Sequence, residues 1–300
     1  MNIKDRLINY ATVLENEPMS KHTTFRIGGK VDYYVCPKDF LALMCVFEML
    51  KENDIPYYVT GRGSNLLWDD KDFHGAVINL DKTLNDFYFE DNGVLVAQAG
   101  CSIINLSMEA MRRSLSGLEF ASGIPGSVGG GLYMNAGAYK SNLSSLLMDV
   151  CVYRKGKIEW IDKSELDYDY RHSLFQKHKD WIILAGRFQL NHSNSKEIAD
   201  LMDSRRQRRM DSQPLNMPCA GSVFRNPDSM PAWKLIEELG LRGYSIGGAQ
   251  VSTKHCNFIV NATGEASADD VRSLIRYIQK KAKEEYNIDL ITEVEQVAWV

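Results

Sequence analysis

No two of the six cysteines (Cys36, Cys45, Cys101, Cys151, Cys219 and Cys256) are spaced CxxC, and none stands in a His/Cys cluster. That argues against a zinc site and a disulfide framework and leaves six thiols suited to a reducing cytosol. Basic charge is not in excess either: the formal net charge is −4. Such a chain is not built as a whole to bind nucleic acid, so any anion site must be a local patch. No apolar run approaches ~18 residues, which excludes an expected membrane-spanning helix. The opening stretch MNIKDRLINYATVLENE has no apolar signal core. It reads instead as a short amphipathic helix with Ile3, Leu7, Val13 and Leu14 near one face. A cytoplasmic protein without membrane or nucleic-acid partners is expected.

What is present suits a globular enzyme. The 300 residues, 44% apolar and 25% charged, suffice for about two domains at ~100–200 residues each. VDYYVC (31–36) reads as a strand, and Asp39 starts a helix through FLALMCVFEMLKEN. YYVTG follows as a strand, then AVINL. DFYFEDNGVLVAQAG (86–100) reads as a hairpin turning at Asp91-Asn92-Gly93, and CVYRKGKIEWI (151–161) as another around Lys155-Gly156. Cys101–Leu118 has helical periodicity, and WIILAGRFQL is a strand. Beyond about residue 195 come a helix with a basic end (SKEIADLMDSRRQRRMDS), one at AWKLIEELGL, a strand at NFIVN, and a long helix capped at Ser267. ITEVEQVAWV reads as a closing strand.

Two glycine-rich segments stand out. GRGSNLL (61–67) follows a strand, where glycines let successive N–H groups converge on an anion. It has Leu66 where GxGxxG needs a glycine, and it lacks the GK[ST] of a Walker loop. Phosphate binding and a plain tight turn both remain open for it. SGIPGSVGGGLYMNAGAY (122–139) holds six glycines. With so few side chains to bury it is expected to be an unpacked loop that lets backbone approach a bulky ligand. A long ligand with a pyrophosphate at its middle would suit two such loops.

These segments, with TTFRIGG (23–29), YRHS (170–173), RRMDSQPL (208–215), CAGSVFRNP (219–227), KLIEELGLRGYSIGGAQVSTKH (234–255) and TEV (292–294), resemble the UDP-N-acetylenolpyruvoylglucosamine reductases in order along nearly the whole chain. The compact route from YRHS to the strand near 181 resembles the family's shorter layout. The resemblance implies an α+β fold: a two-subdomain FAD-binding fold of the PCMH/vanillyl-alcohol-oxidase type plus a C-terminal α+β substrate domain. The expected boundaries are 1–194 (subdomains of about 1–80 and 81–194), 195–285 for the substrate domain, and 286–300 for a terminal strand carrying Glu293. A monomer is expected.

The implied activity is reduction of the enolpyruvyl ether of UDP-N-acetylglucosamine. Hydride passes from non-covalent FAD to C3, NADPH having reduced the flavin, and a proton goes to C2. Implied cofactor contacts are Gly61, Arg62, Gly63, Ser64, Asn65, Leu66, Gly123, Ile124, Pro125, Gly126, Ser127, Gly129, Gly130, Asn135, Ala136, Gly137 and Ala138. Hydride attack pushes charge onto C2 and the adjoining carboxylate, which a site must stabilise where it develops. The resemblance gives that task to Arg171 and Glu293 and makes Ser222 the proton donor. By themselves, Ser222 reads as a turn residue, Arg171 as a surface ion pair with Asp167 or Asp169, and Glu293 as an edge-strand solvent residue. No G-x-S-x-G surrounds Ser222, so a hydrolase nucleophile is disfavoured.

RRQRR (205–209) is short and without an aromatic platform, so it reads as a solvated helix face rather than a nucleic-acid patch. Under the resemblance, Arg208, Arg209, Arg225, Asn226 and Lys254 are substrate candidates. His172 and His255 lack metal spacing and read as structural. Trp233, Ser245, Cys256-Asn257 and Glu295 depart from the family pattern. Two competing readings are a sugar or lactone oxidase of the same superfamily and a flavin-binding regulator without turnover. The first is disfavoured because the loop at 61–66 has no His or Cys for covalent flavin, the second by the intact Arg171, Ser222 and Glu293.

Overall fold

The computed structural model describes residues 2–297. The chain divides into two compact units, each assembled from separated segments. One comprises Met1–Leu14, Tyr33–Arg62 and Gly75–Arg208; the other comprises Glu15–Asp32, Gly63–His74 and Arg209–Val300. The break expected at 194–195 therefore falls at 208–209, and two early segments join the C-terminal part. Pairing explains both. Tyr139 Oη donates to the Arg205 carbonyl at 3.0 Å, which ties the helix Ser195–Ser212 to the first unit up to that point. The strand Leu66–Trp68 pairs in parallel with Glu295–Val297.

In the first unit, Asp39 caps the helix Phe40–Glu52 by accepting from the Ala42 N–H. The helix then buries Leu43, Val46, Phe47 and Leu50. Tyr57–Thr60 returns parallel to Phe73–Asn79, completing the strand–helix–strand unit. These strands belong to a four-stranded sheet ordered Ala11–Pro18, Lys30–Pro37, Phe73–Asn79, Tyr57–Thr60. A five-stranded antiparallel sheet runs Lys157–Asp162, Leu147–Arg154, Ile182–Gln189, Val94–Gln98, Phe87–Phe89. Its first hairpin turns at Lys155-Gly156, with φ of 49° and 77°, matching the twist of the flanking strands.

The second unit has a three-stranded sheet, Ser245–Ile246, Ala249–Val251 and Ile259–Asn261. The helix Ala268–Tyr286 belongs to the same core and buries Val271, Leu274, Ile275, Ile278 and Ala282. Ser267 and Asp270 form a reciprocal capping box at its start.

Three local expectations need correction. The N-terminal helix ends at Leu7, and Val13 and Leu14 lie on the strand Ala11–Pro18. The closing strand is Glu295–Val297, so Glu293 precedes it, and residues 298–300 of that stretch lie outside the described residues. The glycine run is partly helical: Val128–Met134 is an α-helix capped by Ser127. Val128 and Leu132, one turn apart, are buried in the first core and supply packing that offsets three glycines. Gly129 fits beside Ala99, whose carbonyl accepts its N–H at 2.8 Å. Among the described residues, no helix is long and apolar enough to cross a membrane, and no His/Cys/Asp/Glu group could hold a metal ion.

Candidate functional site

Each unit carries its own part of the expected site. In the first, the two glycine-rich segments meet: a Cβ on Gly61 would collide with Ser127 Oγ. Asn79 Nδ2 donates to the Gly61 carbonyl at 2.9 Å, and Asn79 Oδ1 accepts from the Asp81 N–H at 3.1 Å. Asp81 Oδ1 is buried without a hydrogen-bond partner, while Oδ2 lies 3.9 Å from Arg62 Nε. Burial pushes this carboxyl above the usual range, opposed by Arg62 and Lys82. A buried acceptor lacking a donor, beside backbone that tolerates no side chain, suits a ligand bearing hydroxyl or N–H groups. FAD has both. Nothing in the sequence singles out Asn79, at the end of a strand that reads as ordinary core, or Asp81 just after it.

Ser127 is buried and accepts from the Gly130 N–H at 3.5 Å. Pro125 and Gly130 are exposed, and Gly123, Ile124, Gly126 and Gly129 half-buried. Asn135 is committed internally: Nδ2 donates to the Asp169 carbonyl at 2.8 Å and Oδ1 accepts from the Ser144 N–H at 3.1 Å. Gly137–Ala138 pairs with Ser141–Asn142 through a two-residue return.

Arg171 lies directly on this segment. Its Nη2 donates to the Gly137 carbonyl at 2.6 Å and Nη1 to that of Asn135 at 3.5 Å. Gln176 Nε2 donates to the Arg171 carbonyl at 3.0 Å, and Ser173 Oγ to that of Tyr133 at 2.6 Å. Asn135, Tyr139, Lys140 and Arg171 all have φ between 45° and 63°. Asn135 is the left-handed cap that ends the helix Val128–Met134, and Tyr139-Lys140 are the central pair of the two-residue return. Asp167 meanwhile pairs with His172 and Lys177, each at 3.1 Å.

In the second unit, the rest of GRGSNLL lies against the TEV segment. Asn65 Nδ2 donates to the Glu293 carbonyl at 3.0 Å, and the Glu295 N–H donates to that of Asn65 at 2.9 Å. Leu66 lies opposite Glu295 in the parallel pair. A Cβ on Gly63 would run into the His22 carbonyl, so that glycine answers to packing against TTFRIGG. Ser64 is half-buried.

CAGSVFRNP packs on the segment just before the strand Glu295–Val297: the Glu293 N–H donates to the Val223 carbonyl at 2.7 Å and the Arg225 N–H to that of Ile291 at 2.9 Å. Ser222 and Glu293, 71 residues apart in sequence, thus become backbone neighbours. Both are half-buried.

The substrate candidates are held differently. Asn226 Oδ1 accepts from the Ala232 N–H at 3.0 Å, at the start of the helix Ala232–Glu238. Lys254 Nζ donates to the Met210 carbonyl, near the end of the basic helix. Arg225 Nε is buried without a partner. Arg208 is exposed and Arg209 half-buried.

A FAD-binding-domain model matches residues 31–156, and that of the UDP-N-acetylenolpyruvoylglucosamine reductase C-terminal domain matches 213–297. The chain is 43% identical over 297 residues to UDP-N-acetylenolpyruvoylglucosamine reductase of Bacillus pumilus, covering 98% of this chain and 97% of that one. It is 46% identical over 284 residues to reductase 1 of Bacillus cereus, covering 94% of each. The crystal structure of the UDP-N-acetylenolpyruvylglucosamine reductase of Thermus caldophilus aligns with a TM-score of 0.79 and 32% identity, over 96% of this chain and 100% of that one.

Proposed function

Because the chain belongs to the UDP-N-acetylenolpyruvoylglucosamine reductase family, we propose that it reduces UDP-N-acetylglucosamine enolpyruvate to UDP-N-acetylmuramate with NADPH as the reductant. The observation that supports this reading best is the backbone bond from the Glu293 N–H to the Val223 carbonyl, which makes the TEV segment a backbone neighbour of the residue that follows Ser222. When bound, FAD supplies the hydride that C3 of the enolpyruvyl group receives. Gly61, Ser127 and Asp81 are the residues of the first unit that would hold it.

The chain's residues then manage charge and a proton. Hydride addition leaves an electron pair at C2, delocalised into the carboxylate. Ser222 gives its hydroxyl proton to C2, closing the balance of one hydride and one proton across the double bond. A hydroxyl is a weak acid, but the enediolate-like intermediate is a strong base, and a neutral donor does not repel the substrate carboxylate. Arg171, permanently charged and shaped as a fork, suits that carboxylate and the charge developing on it. Glu293 in its protonated form is a second donor to the same charge. Arg208, Arg209, Arg225, Asn226 and Lys254 remain candidates for the nucleotide, with Asn226 and Lys254 also bonded within the protein.

The test is direct. The purified protein should carry a flavin spectrum and oxidise NADPH when the enolpyruvyl nucleotide is added. Oxygen-driven turnover of a free sugar, or no flavin at all, would contradict the reading.

A further inference from the structure

We infer that Asn257 is a positioning residue for Ser222, acting through the backbone that follows the serine. This rests on the proton-donor reading of Ser222 given above. Asn257 is 4% exposed and uses every polar group it has. Its carbonyl accepts from the Val223 N–H at 2.9 Å. Its Oδ1 accepts from the Phe224 N–H at 3.0 Å, and its Nδ2 donates to the Phe224 carbonyl at 2.8 Å. Its own N–H donates to His255 Nδ1 at 3.2 Å.

The opposite side of the same short segment is filled as well. The Val223 carbonyl takes the Glu293 N–H, the Arg225 N–H goes to Ile291, and Phe224 bridges to Thr292. The Phe224 ring is buried in the second core. Residues 223–225 are therefore pinned on both edges and cannot slip, and a slip of one residue would turn every side chain to the other face.

Ser222 comes just before this pinned stretch. On its other side Gly221 has φ of 77° with open space where a Cβ would stand, and the next anchors are the buried Ala220 and the Pro218 carbonyl, which takes the Asn261 N–H. Among the described residues the Ser222 hydroxyl makes no hydrogen bond that would fix its own place. Its position relative to Glu293 is thus set by the clamp on Val223 and Phe224. The side-chain half of that clamp is Asn257 alone. An amide is the group that fits, because it can accept from the N–H and donate to the carbonyl of one residue, Phe224, at once.

The test uses the full-length flavoprotein with Asn257→Ala and Asn257→Asp, which keeps the shape and loses the donor to the Phe224 carbonyl, beside Ser222→Ala. Flavin reduction by NADPH and flavin reoxidation by the enolpyruvyl nucleotide are followed separately by rapid mixing. For both Asn257 variants, reduction should stay within about twofold of wild type while reoxidation falls tenfold or more, with a larger solvent deuterium effect on that step. Exchange of the Phe224 amide hydrogen should accelerate in the same variants. Reoxidation within twofold of wild type in the Asn257 variants, while Ser222→Ala collapses it, would overturn the positioning role and leave Ser222 standing. Parallel loss of both half-reactions would reduce Asn257 to a stability residue and overturn it too. Normal reoxidation in Ser222→Ala would remove the proton-donor reading itself.

Discussion

At the scale of single residues, side chains proposed to touch ligand differ from those that shape the backbone. Asp81 is proposed for the first group on its buried Oδ1, which has no hydrogen-bond partner among the described residues. Replacing it by alanine removes a buried acceptor, and the expected cost is about 1.5–3 kcal/mol in flavin affinity, read by titrating the apoprotein with FAD. His255 illustrates the second. Burial, with Arg242 nearby, lowers its pKa below the ordinary value, and its Nδ1 accepts from Asn257, so the folded protein holds it neutral. Above pH ~6.5 the unfolded chain is also neutral there and the shift costs nothing. As pH falls below that value the unfolded chain takes up a proton that the fold resists, so stability drops. Urea midpoints at pH 7.5 and 5.5 should therefore differ more for wild type than for His255→Gln, and equal differences would contradict the assignment. Little of this was visible in sequence. Asn257 read only as a departure from a pattern, because its four bonds go to segments remote in the chain or to its near neighbour's ring.

At the scale of elements, apolar periodicity and caps carried most of what could be read. The helix Ala268–Tyr286 was legible from Ser267 and the spacing of 271, 274, 275 and 278, and both hairpins from their turn residues. The helix Val128–Met134 was not. Its glycines oppose helix formation, and only the Val128–Leu132 pair, packed in the first core, offsets them. The long helix of the second unit is also held by charge. Arg272 Nη2 lies 2.8 Å from Asp69 Oδ2, both groups buried, and Nη1 lies 2.8 Å from Asp269. Asp69 also accepts the Lys71 N–H, so the pair braces the turn that follows Leu66–Trp68. Asp69→Ala leaves the guanidinium to the exposed Asp269 and should cost up to about 3 kcal/mol. A loss below about 1 kcal/mol in denaturant unfolding would show the pair to be solvated.

At the scale of the whole molecule, the chain's division into units was the least legible feature. Contiguous stretches divided near 80, 194 and 285 were expected, whereas the compact units are assembled from separated segments, with residues 15–32 and 63–74 in the C-terminal unit. The cause is pairing over long sequence distances: Leu66–Trp68 with Glu295–Val297, and Asn65 with Glu293. The same pairing splits GRGSNLL between units, so each unit holds part of the expected cofactor and substrate machinery. Local pattern singles out none of Ser222, Arg171 and Glu293, which look ordinary one at a time; their proposed roles come from the family resemblance. The central claim is that Ser222 delivers a proton in the second half of the reaction and does nothing in the first. Rapid-mixing kinetics of Ser222→Ala test it most directly. Flavin reduction by NADPH should match wild type, and reoxidation by the enolpyruvyl nucleotide should slow by about 10²–10⁴-fold. Two normal half-reactions would contradict the account.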